Sequence, residues 1–304
     1  MGEVYENLGL YPQAESLTRH ALAIQRQALG ESNRDTLKSM HSLSETLDKE
    51  SQFSESEKLA RQTVDGRTRV LGAEDHDTLL STIGLARVLT DEGRYADAEQ
   101  MNRKTLEAAR REFGIKDTVT LKAASDLAID LAYEGKFPES ERQFRDVWQI
   151  DRDNLGKDDP TTIAAEANVA AILIRGNKNG DAAQVLPDLL ERDRRVLGAG
   201  HPNTLRDMGN FALTLRNSHR YPEAEKLFRE TLALKTQKLG AENRSTLVTA
   251  GNLASVLQDE HKYSEAELLL RQTVAAEERT LGKEHSDTLV STGDLGQILS
   301  QEGH

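Results

Sequence analysis

Eight histidines and several adjacent acidic residues are the side chains that could bind a metal or act as general acids and bases. The sequence contains no HExxH pair, which would place two metal ligands on one helix face, and no phosphate-binding glycine loop or serine nucleophile elbow. Acidic pairs such as Glu277-Glu278 and Asp158-Asp159 are expected to lie on the solvated surface. We therefore predict a protein that is not an enzyme and that binds no cofactor and no metal.

Five of the histidines recur in turns, His76, His201 and His285 in one kind of turn and His219 and His261 in another. A metal site built from histidines repeated along one edge is the alternative to a purely structural role. Either role depends on the repeat that positions these residues, which is the main feature of the sequence.

A spacing of 42 residues runs through the whole chain. A fixed period between about 20 and 50 residues is typical of solenoids, in which each copy packs only on its neighbours. We therefore predict one domain over residues 1–304, an all-α solenoid of seven copies. The residues that mark the copies are Gly30, Gly72, Gly114, Gly156, Gly198, Gly240 and Gly282, and Thr36, Thr78, Thr120, Thr162, Thr204, Thr246 and Thr288.

The residue pattern of each copy predicts two helices, and the first of them, helix A, is expected to begin at the threonine. Apolar residues then recur at helical spacing, as Leu79, Ile83, Ala86 and Leu89 do. A capping residue is expected immediately before the threonine, at Asp35, Asp77, Thr161, Asn203, Ser245 and Asp287. A left-handed residue is expected to end helix A, at Ser51, Gly93, Gly135, Asn177, His219, His261 and Gly303.

Helix B begins at an aromatic residue and carries a small residue three positions later. The small residue allows a close approach of two helices, and the aromatic ring fills the gap between them. Each pair leaves an apolar face uncovered, so the pairs must stack. The aromatic residues are Tyr11, Phe53, Tyr95, Phe137, Tyr221 and Tyr263, and the small residues are Ala14, Ser56, Ala98, Ser140, Ala182, Ala224 and Ala266.

The fifth copy is irregular, because Asn177-Lys178-Asn179-Gly180 replaces the usual turn and Pro187 falls inside the expected helix B. Proline removes one backbone hydrogen bond and bends a helix. The irregularity is either a tolerated local kink or a change of superhelix curvature that shapes a binding site.

At the ends of the sequence, residues 1–8 match only the last turns of a helix A, and Gly303-His304 fall where a helix B would begin. We therefore expect a fragment of a longer protein.

The composition excludes several classes of protein. The net charge of −12 disfavours nucleic-acid binding, because the phosphate backbone is also negative. The absence of cysteine excludes disulfides and thiol catalysis and is compatible with a reducing compartment. The sequence has neither an apolar run long enough to span a membrane nor a signal peptide, so we expect a cytoplasmic protein without membrane contacts.

The recurring residues resemble the tetratricopeptide repeat, and more narrowly the 42-residue repeats of kinesin light chains. In one copy they are Gly251-Asn252-Leu253-Ala254-Ser255-Val256-Leu257, Tyr263-Ser264-Glu265-Ala266-Glu267 and Thr280-Leu281-Gly282-Lys283-Glu284-His285. The resemblance implies a right-handed superhelix of antiparallel helix pairs, in which the A helices line a concave groove that binds an extended peptide. The heptad coiled-coil segment of kinesin light chains is absent from the sequence, so a motor-linked role is not implied.

The resemblance also implies groove residues. In kinesin light chains an asparagine before a Leu-Ala pair holds peptide backbone, and Asn168, Asn210 and Asn252 match it. A primary amide both donates and accepts hydrogen bonds, so it can pair with a peptide unit of any sequence. Hydrogen bonds to neighbouring helices are the alternative role of these amides.

Helical spacing from the asparagines adds further groove positions, which are Arg175, Arg206, Leu213, Arg216, Val248 and Asp259. Because arginine holds carboxylates at two points, we hypothesise that the partner is an acidic or C-terminal peptide. The predicted function is a protein-interaction scaffold. The alternatives are an intramolecular regulatory array of a larger signalling protein and a self-assembly module that stacks end to end, the protein being otherwise a monomer.

Overall fold

Fourteen α-helices and no strand make up the regular structure of the described residues, which are Tyr5 and residues 10–302 of the computed structural model. The predicted all-α class is confirmed, whereas the expectations for residues 1–8 and Gly303-His304 lie outside the described residues. The helices are α1 (Tyr11–Leu29), α2 (Arg34–Lys49), α3 (Phe53–Leu71), α4 (His76–Asp91), α5 (Tyr95–Phe113), α6 (Thr118–Tyr133), α7 (Phe137–Leu155), α8 (Pro160–Arg175), α9 (Asn179–Val196), α10 (Pro202–Asn217), α11 (Tyr221–Leu239), α12 (Arg244–Asp259), α13 (Tyr263–Thr280) and α14 (Ser286–Glu302).

The chain forms two compact units, Met1–Ile150 and Asp151–His304. In the first unit, each helix from α1 to α6 packs on the next, and α4 also contacts α2 and α6. In the second, α8 to α14 pack in the same way, and each even-numbered helix contacts the next even-numbered one. The even-numbered helices are the predicted A helices and the odd-numbered ones the predicted B helices. Within each unit the helix pairs therefore stack as predicted.

The small residue of each B helix is completely buried, as the sequence predicts. All seven residues from Ala14 to Ala266 have no exposed surface. Where the residue is serine, its hydroxyl donates to a carbonyl of the preceding A helix, from Ser56 to Ser44 at 2.7 Å and from Ser140 to Ala128 at 2.6 Å. The aromatic residues begin the B helices and are half-buried. The A and B helices therefore meet at a point where a larger side chain would not fit.

The caps of the A helices differ from the prediction. The capping side chains lie two residues earlier than expected, and each accepts a hydrogen bond from the backbone N–H two residues along, as Asp75 does from Asp77 at 2.9 Å. The prediction was wrong because the threonine is the third residue of each A helix and is buried, instead of being the first. The observed caps are Asn33, Asp75, Asp117, Asp159, His201, Asn243 and His285.

The left-handed residues that follow the A helices are confirmed at every predicted position within the described residues. Their φ angles lie between 58° and 80°. Such angles strain most side chains, but asparagine and glycine adopt them readily. The residues are Ser51, Gly93, Gly135, Asn177, His219 and His261.

Arginines on the B helices form ion pairs with the next B helix. Arg103 pairs with Glu139 at 2.8 Å, and Arg229 with Glu265 at 2.6 Å. Arg19 pairs with Glu55 in the same way at 2.7 Å, whereas Arg61 and Arg145, at the same repeat position, pair within their own helices. We call the three inter-helix pairs the B-helix ladder. Exposed pairs contribute about 0–1 kcal/mol each, so the ladder mainly fixes which B-helix faces meet.

At α9, Pro187 takes the place of the ladder arginine, and the ion pair from α9 to α11 is made instead by Arg194 with Glu230 at 2.8 Å. The helix continues through Pro187 from Asn179 to Val196, so the proline is tolerated locally. Glu223, the residue of α11 that the ladder would reach, pairs with Arg220 at the N-cap of α11 at 2.5 Å. The sequence hypothesis of an altered curvature stays a prediction.

Replacing Pro187 tests the cost of a proline inside α9. We expect Pro187→Ala to raise the free energy of unfolding by up to about 3 kcal/mol, because it restores a backbone hydrogen bond inside α9. Urea unfolding of the whole protein measures the change. Pro222→Ala is the matched control: Pro222 lies in the first turn of α11, where no intrahelical hydrogen bond is lost, so we expect a change below about 0.5 kcal/mol. Equal effects of the two substitutions would contradict the explanation.

A buried polar network replaces apolar packing in the first unit. Thr90 donates to Asp130 at 2.6 Å, and the Asn102 amide donates to the other carboxylate oxygen at 2.7 Å. Burial raises the pKa of Asp130 to about 6. Because this pKa lies above the ordinary value, the folded state retains a proton that the unfolded state releases, so Asp130 lowers stability as the pH rises from about 4 to about 6.

A double-mutant cycle tests whether Asn102 and Asp130 act as one unit. Equivalent positions in other copies hold Leu186 and Val256, so we choose Asn102→Leu and Asp130→Val. Each single substitution leaves a buried polar partner and is expected to cost about 1–3 kcal/mol. The double variant should cost at least about 1 kcal/mol less than the sum of the single variants, as measured by urea unfolding. Additive costs would show that the two residues are independent.

Candidate functional site

A cleft of about 320 Å³ lies in the second unit and is lined by residues of α10, α11 and α12 and of the turn before α10. Its lining combines an apolar surface with a few polar side chains, which is the usual composition of a binding site. The apolar residues are Leu205, Leu213, Phe228, Leu239 and Val248, and the charged and amide residues are Arg206, Asn210, Lys235 and Asn252.

The cleft unites five of the nine groove residues named from the sequence. Those five are Arg206, Asn210, Leu213, Val248 and Asn252. The other four lie elsewhere. Asn168 is half-buried on α8, Arg175 is exposed at the end of that helix, and Arg216 on α10 forms an ion pair with Asp259 on α12 at 2.6 Å.

The two asparagines of the cleft lie at equivalent positions of adjacent A helices. Asn210 and Asn252 are half-buried. Neither amide takes part in a side-chain hydrogen bond with the described part of the chain, so the alternative role of bonding neighbouring helices finds no support at these two positions. Both amides are therefore available at the cleft to donate and to accept hydrogen bonds.

Arg206 lies at the edge of the cleft with a counterion of its own chain. Its guanidinium donates to both carboxylate oxygens of the adjacent Asp207, at 2.9 and 3.3 Å. Asp207 is 1% exposed, whereas the Arg206 side chain is 48% exposed. The arginine is therefore anchored on one side and open to solvent on the other.

Lys235 is the cleft cation that sequence reasoning missed. Its ammonium donates to the Thr249 hydroxyl at 2.9 Å and to the Ser245 carbonyl at 3.3 Å, and both partners are neutral. Burial lowers the pKa of Lys235, because the charged form loses water without gaining a carboxylate. The cleft thus contains a partly desolvated cation whose hydrogen-bond partners among the described residues carry no charge.

Comparing the copies position by position could have identified Lys235. Its position lies on the B helix where it meets the next A helix, and Arg67 occupies it in the second copy, where it donates to Ser81 at 2.8 Å. The signal is a polar residue in an otherwise apolar helix face. The seven residues at this position are Gln25, Arg67, Ala109, Asp151, Asp193, Lys235 and Glu277.

The histidines and acidic residues take mainly structural positions. The Nδ1 atoms of His201 and His285 accept backbone N–H groups at the starts of α10 and α14, at 3.3 and 3.1 Å. Glu277 is 1% exposed, so its predicted place on the solvated surface is wrong, because it faces the next A helix instead. Among the described residues, no group of three or more acidic or histidine side chains is arranged to hold a metal.

The helices of the described residues also include none that is both long and apolar enough to span a membrane.

Family models identify the repeat. The tetratricopeptide repeat model matches residues 1–69, 77–153 and 161–237, and a second tetratricopeptide repeat model matches residues 246–287. The chain therefore belongs to the tetratricopeptide repeat family. This fold is typical of protein–protein interaction, and proteins of the family are generally non-enzymatic scaffolds. A search of curated proteins finds no match.

Solved structures place the chain beside kinesin light chain-like repeats. BtubC (BKLC) from P. vanneervenii is 18% identical with a TM-score of 0.64, over 77% of this chain and 94% of that chain. TPR-like repeats of a Podosopora anserina protein, named as a kinesin light chain, are 20% identical with a TM-score of 0.59, over 67% and 96%. A Rap protein complexed with Competence and Sporulation Factor is 15% identical with a TM-score of 0.59, over 99% and 73%. At these identities the likeness concerns the fold.

Proposed function

We propose that the protein is a scaffold that binds an extended, acidic peptide segment in the cleft of α10, α11 and α12. The observation that carries the proposal is the combination of Asn210 and Asn252, both without side-chain partners in the described structure, with the two cations Arg206 and Lys235 in one largely apolar cleft. Amides suit a peptide backbone, and cations suit carboxylates.

Each part of the cleft has a distinct role in this binding. Asn210 and Asn252 pair with peptide units, which gives affinity without a requirement for one sequence. Leu213, Leu239 and Val248 contact an apolar side chain of the segment. Lys235 has already lost part of its hydration on folding, so a carboxylate that reaches it gains an ion pair at a reduced cost of desolvation.

Two further observations support the proposal. The cleft is formed by packed helices, so the protein itself loses little conformational entropy when a segment binds. The Rap protein, whose fold is similar, has been crystallised with Competence and Sporulation Factor. Arg216 is paired with Asp259, and Arg175 is not among the residues that line the cleft. Of the three arginines named from the sequence, only Arg206 supports the acidic preference, together with Lys235.

Fluorescence anisotropy with two labelled peptide pools tests the function. Both pools contain random peptides of about ten residues, long enough to span the cleft when extended. One pool carries glutamates at fixed positions, and the other carries lysines there. We expect the acidic pool to bind and Lys235→Met to weaken it, because the methionine keeps the apolar stem and removes the charge. Equal binding of the two pools would contradict an acidic partner.

The double variant Asn210→Ala plus Asn252→Ala tests the place of binding. The loss of two amide hydrogen bonds, each worth about 1 kcal/mol, is expected to weaken the acidic pool by about tenfold or more. Ser42→Ala is the matched control, since Ser42 occupies the same repeat position on α2, outside the cleft. If both variants bind as the unchanged protein does, the segment binds elsewhere.

A further inference from the structure

Two buried aspartates lie directly behind the cleft arginine. Asp193 on α9 is fully buried and Asp207 on α10 is 1% exposed, and the two occupy the repeat positions at which Lys235 meets Thr249 and Arg67 meets Ser81 in other copies. Both oxygens of Asp193 lack an N–H or hydroxyl donor among the described residues. Two carboxylates have no donor between them, so a hydrogen bond at this contact requires a proton on one of them.

The same contact in other copies brings together one ionisable group and one neutral hydroxyl. Lys235 donates to Thr249 at 2.9 Å, and Arg67 donates to Ser81 at 2.8 Å. In each of these pairs the hydroxyl can accept without becoming charged. The Asp193–Asp207 contact therefore differs from these pairs, since it contains a hydrogen-bond donor only while one of the two carboxyl groups is protonated.

The charged groups around the pair come from four helices. Arg206 on α10 holds Asp207 at two points, and Arg192 on α9 donates to Glu166 on α8 at 2.6 Å. From α11, Lys235 lines the same cleft as Arg206, and the cleft residues of α12 are uncharged. One cation, Arg206, is thus in direct contact with the pair.

We infer that Asp193 and Asp207 share one proton. This proton controls how strongly Asp207 holds the Arg206 guanidinium, and therefore how available Arg206 is to a peptide in the cleft. The second step rests on the proposed function. With the proton on Asp193, its O–H donates to Asp207 and Arg206 balances the single negative charge. Without the proton, two buried negative charges compete for Arg206. The guanidinium is then held more tightly, and an acidic segment is repelled.

The pH range of this change follows from the burial of the pair. Burial, followed by the neighbouring Asp207, raises the pKa of Asp193 to about 7. Since this pKa is higher in the folded state than in the unfolded state, the folded state binds the proton more tightly. Its contribution to stability is complete below about pH 4 and is lost as the pH rises through about 7.

Carboxyl and guanidinium NMR signals of the full chain test the shared proton without any ligand. We expect the Asp193 carboxyl carbon to titrate near neutral pH and the Arg206 Nε–H signal to shift with the same midpoint. In Asp193→Asn the Arg206 shift should disappear, whereas Asp181→Asn, on the exposed first turn of α9, should leave it unchanged. Titration of Asp193 near pH 4, or an Arg206 signal that does not follow it, would overturn the inference even if the Asn variant does not fold.

The acidic peptide pool then tests the coupling to the cleft. We expect its affinity for the unchanged protein to fall about fivefold between about pH 6 and about pH 8, and to stay constant for Asp193→Asn. Binding that is independent of pH, with Asp193 titrating as expected, would refute the coupling alone. If no pool binds at any pH, the proposed function fails, and the NMR titration still decides whether the proton is shared.

Discussion

The close contact between A and B helices at a side chain with no exposed surface is the constraint on which each unit depends. Alanine or serine at this point allows the helices to approach, and the leucines around it then interdigitate at the density of a protein interior. The contact recurs every 42 residues, so each pair presents the same surface to the next. The turn glycines, the caps and the cleft all follow from this spacing.

The sequence predicts the helical-repeat fold well because the period overrides weak local signals. Seven glycines and seven threonines at one spacing are compatible with few architectures. The same spacing correctly placed His219 and His261 in left-handed turns. The caps were misplaced because capping residues such as Asp75 and Asp77 both lie near the helix start. Only the backbone shows which of the two accepts the hydrogen bond, since the buried threonine lies inside the helix.

The candidate site was predictable in part, for a physical reason. Helical spacing around the asparagines places Arg206, Leu213 and Val248 on the same helix faces as Asn210 and Asn252, and all five line one cleft. Spacing does not show that Arg216 is paired with Asp259, which depends on the distance between two helices. Nor does it identify Lys235, which reaches the cleft from a B helix.

The interior proline of α9 also shows how the second unit accommodates an irregular copy. In a repeat protein the stability of each copy is the sum of its own helices and its two interfaces. Pro187 removes one backbone hydrogen bond inside α9, while Arg194 still joins α9 to Glu230 of α11 at 2.8 Å, and α9 still packs on α8 and α10. A single helix therefore absorbs the irregularity of the fifth copy, and the regular stacking that forms the cleft continues beyond it.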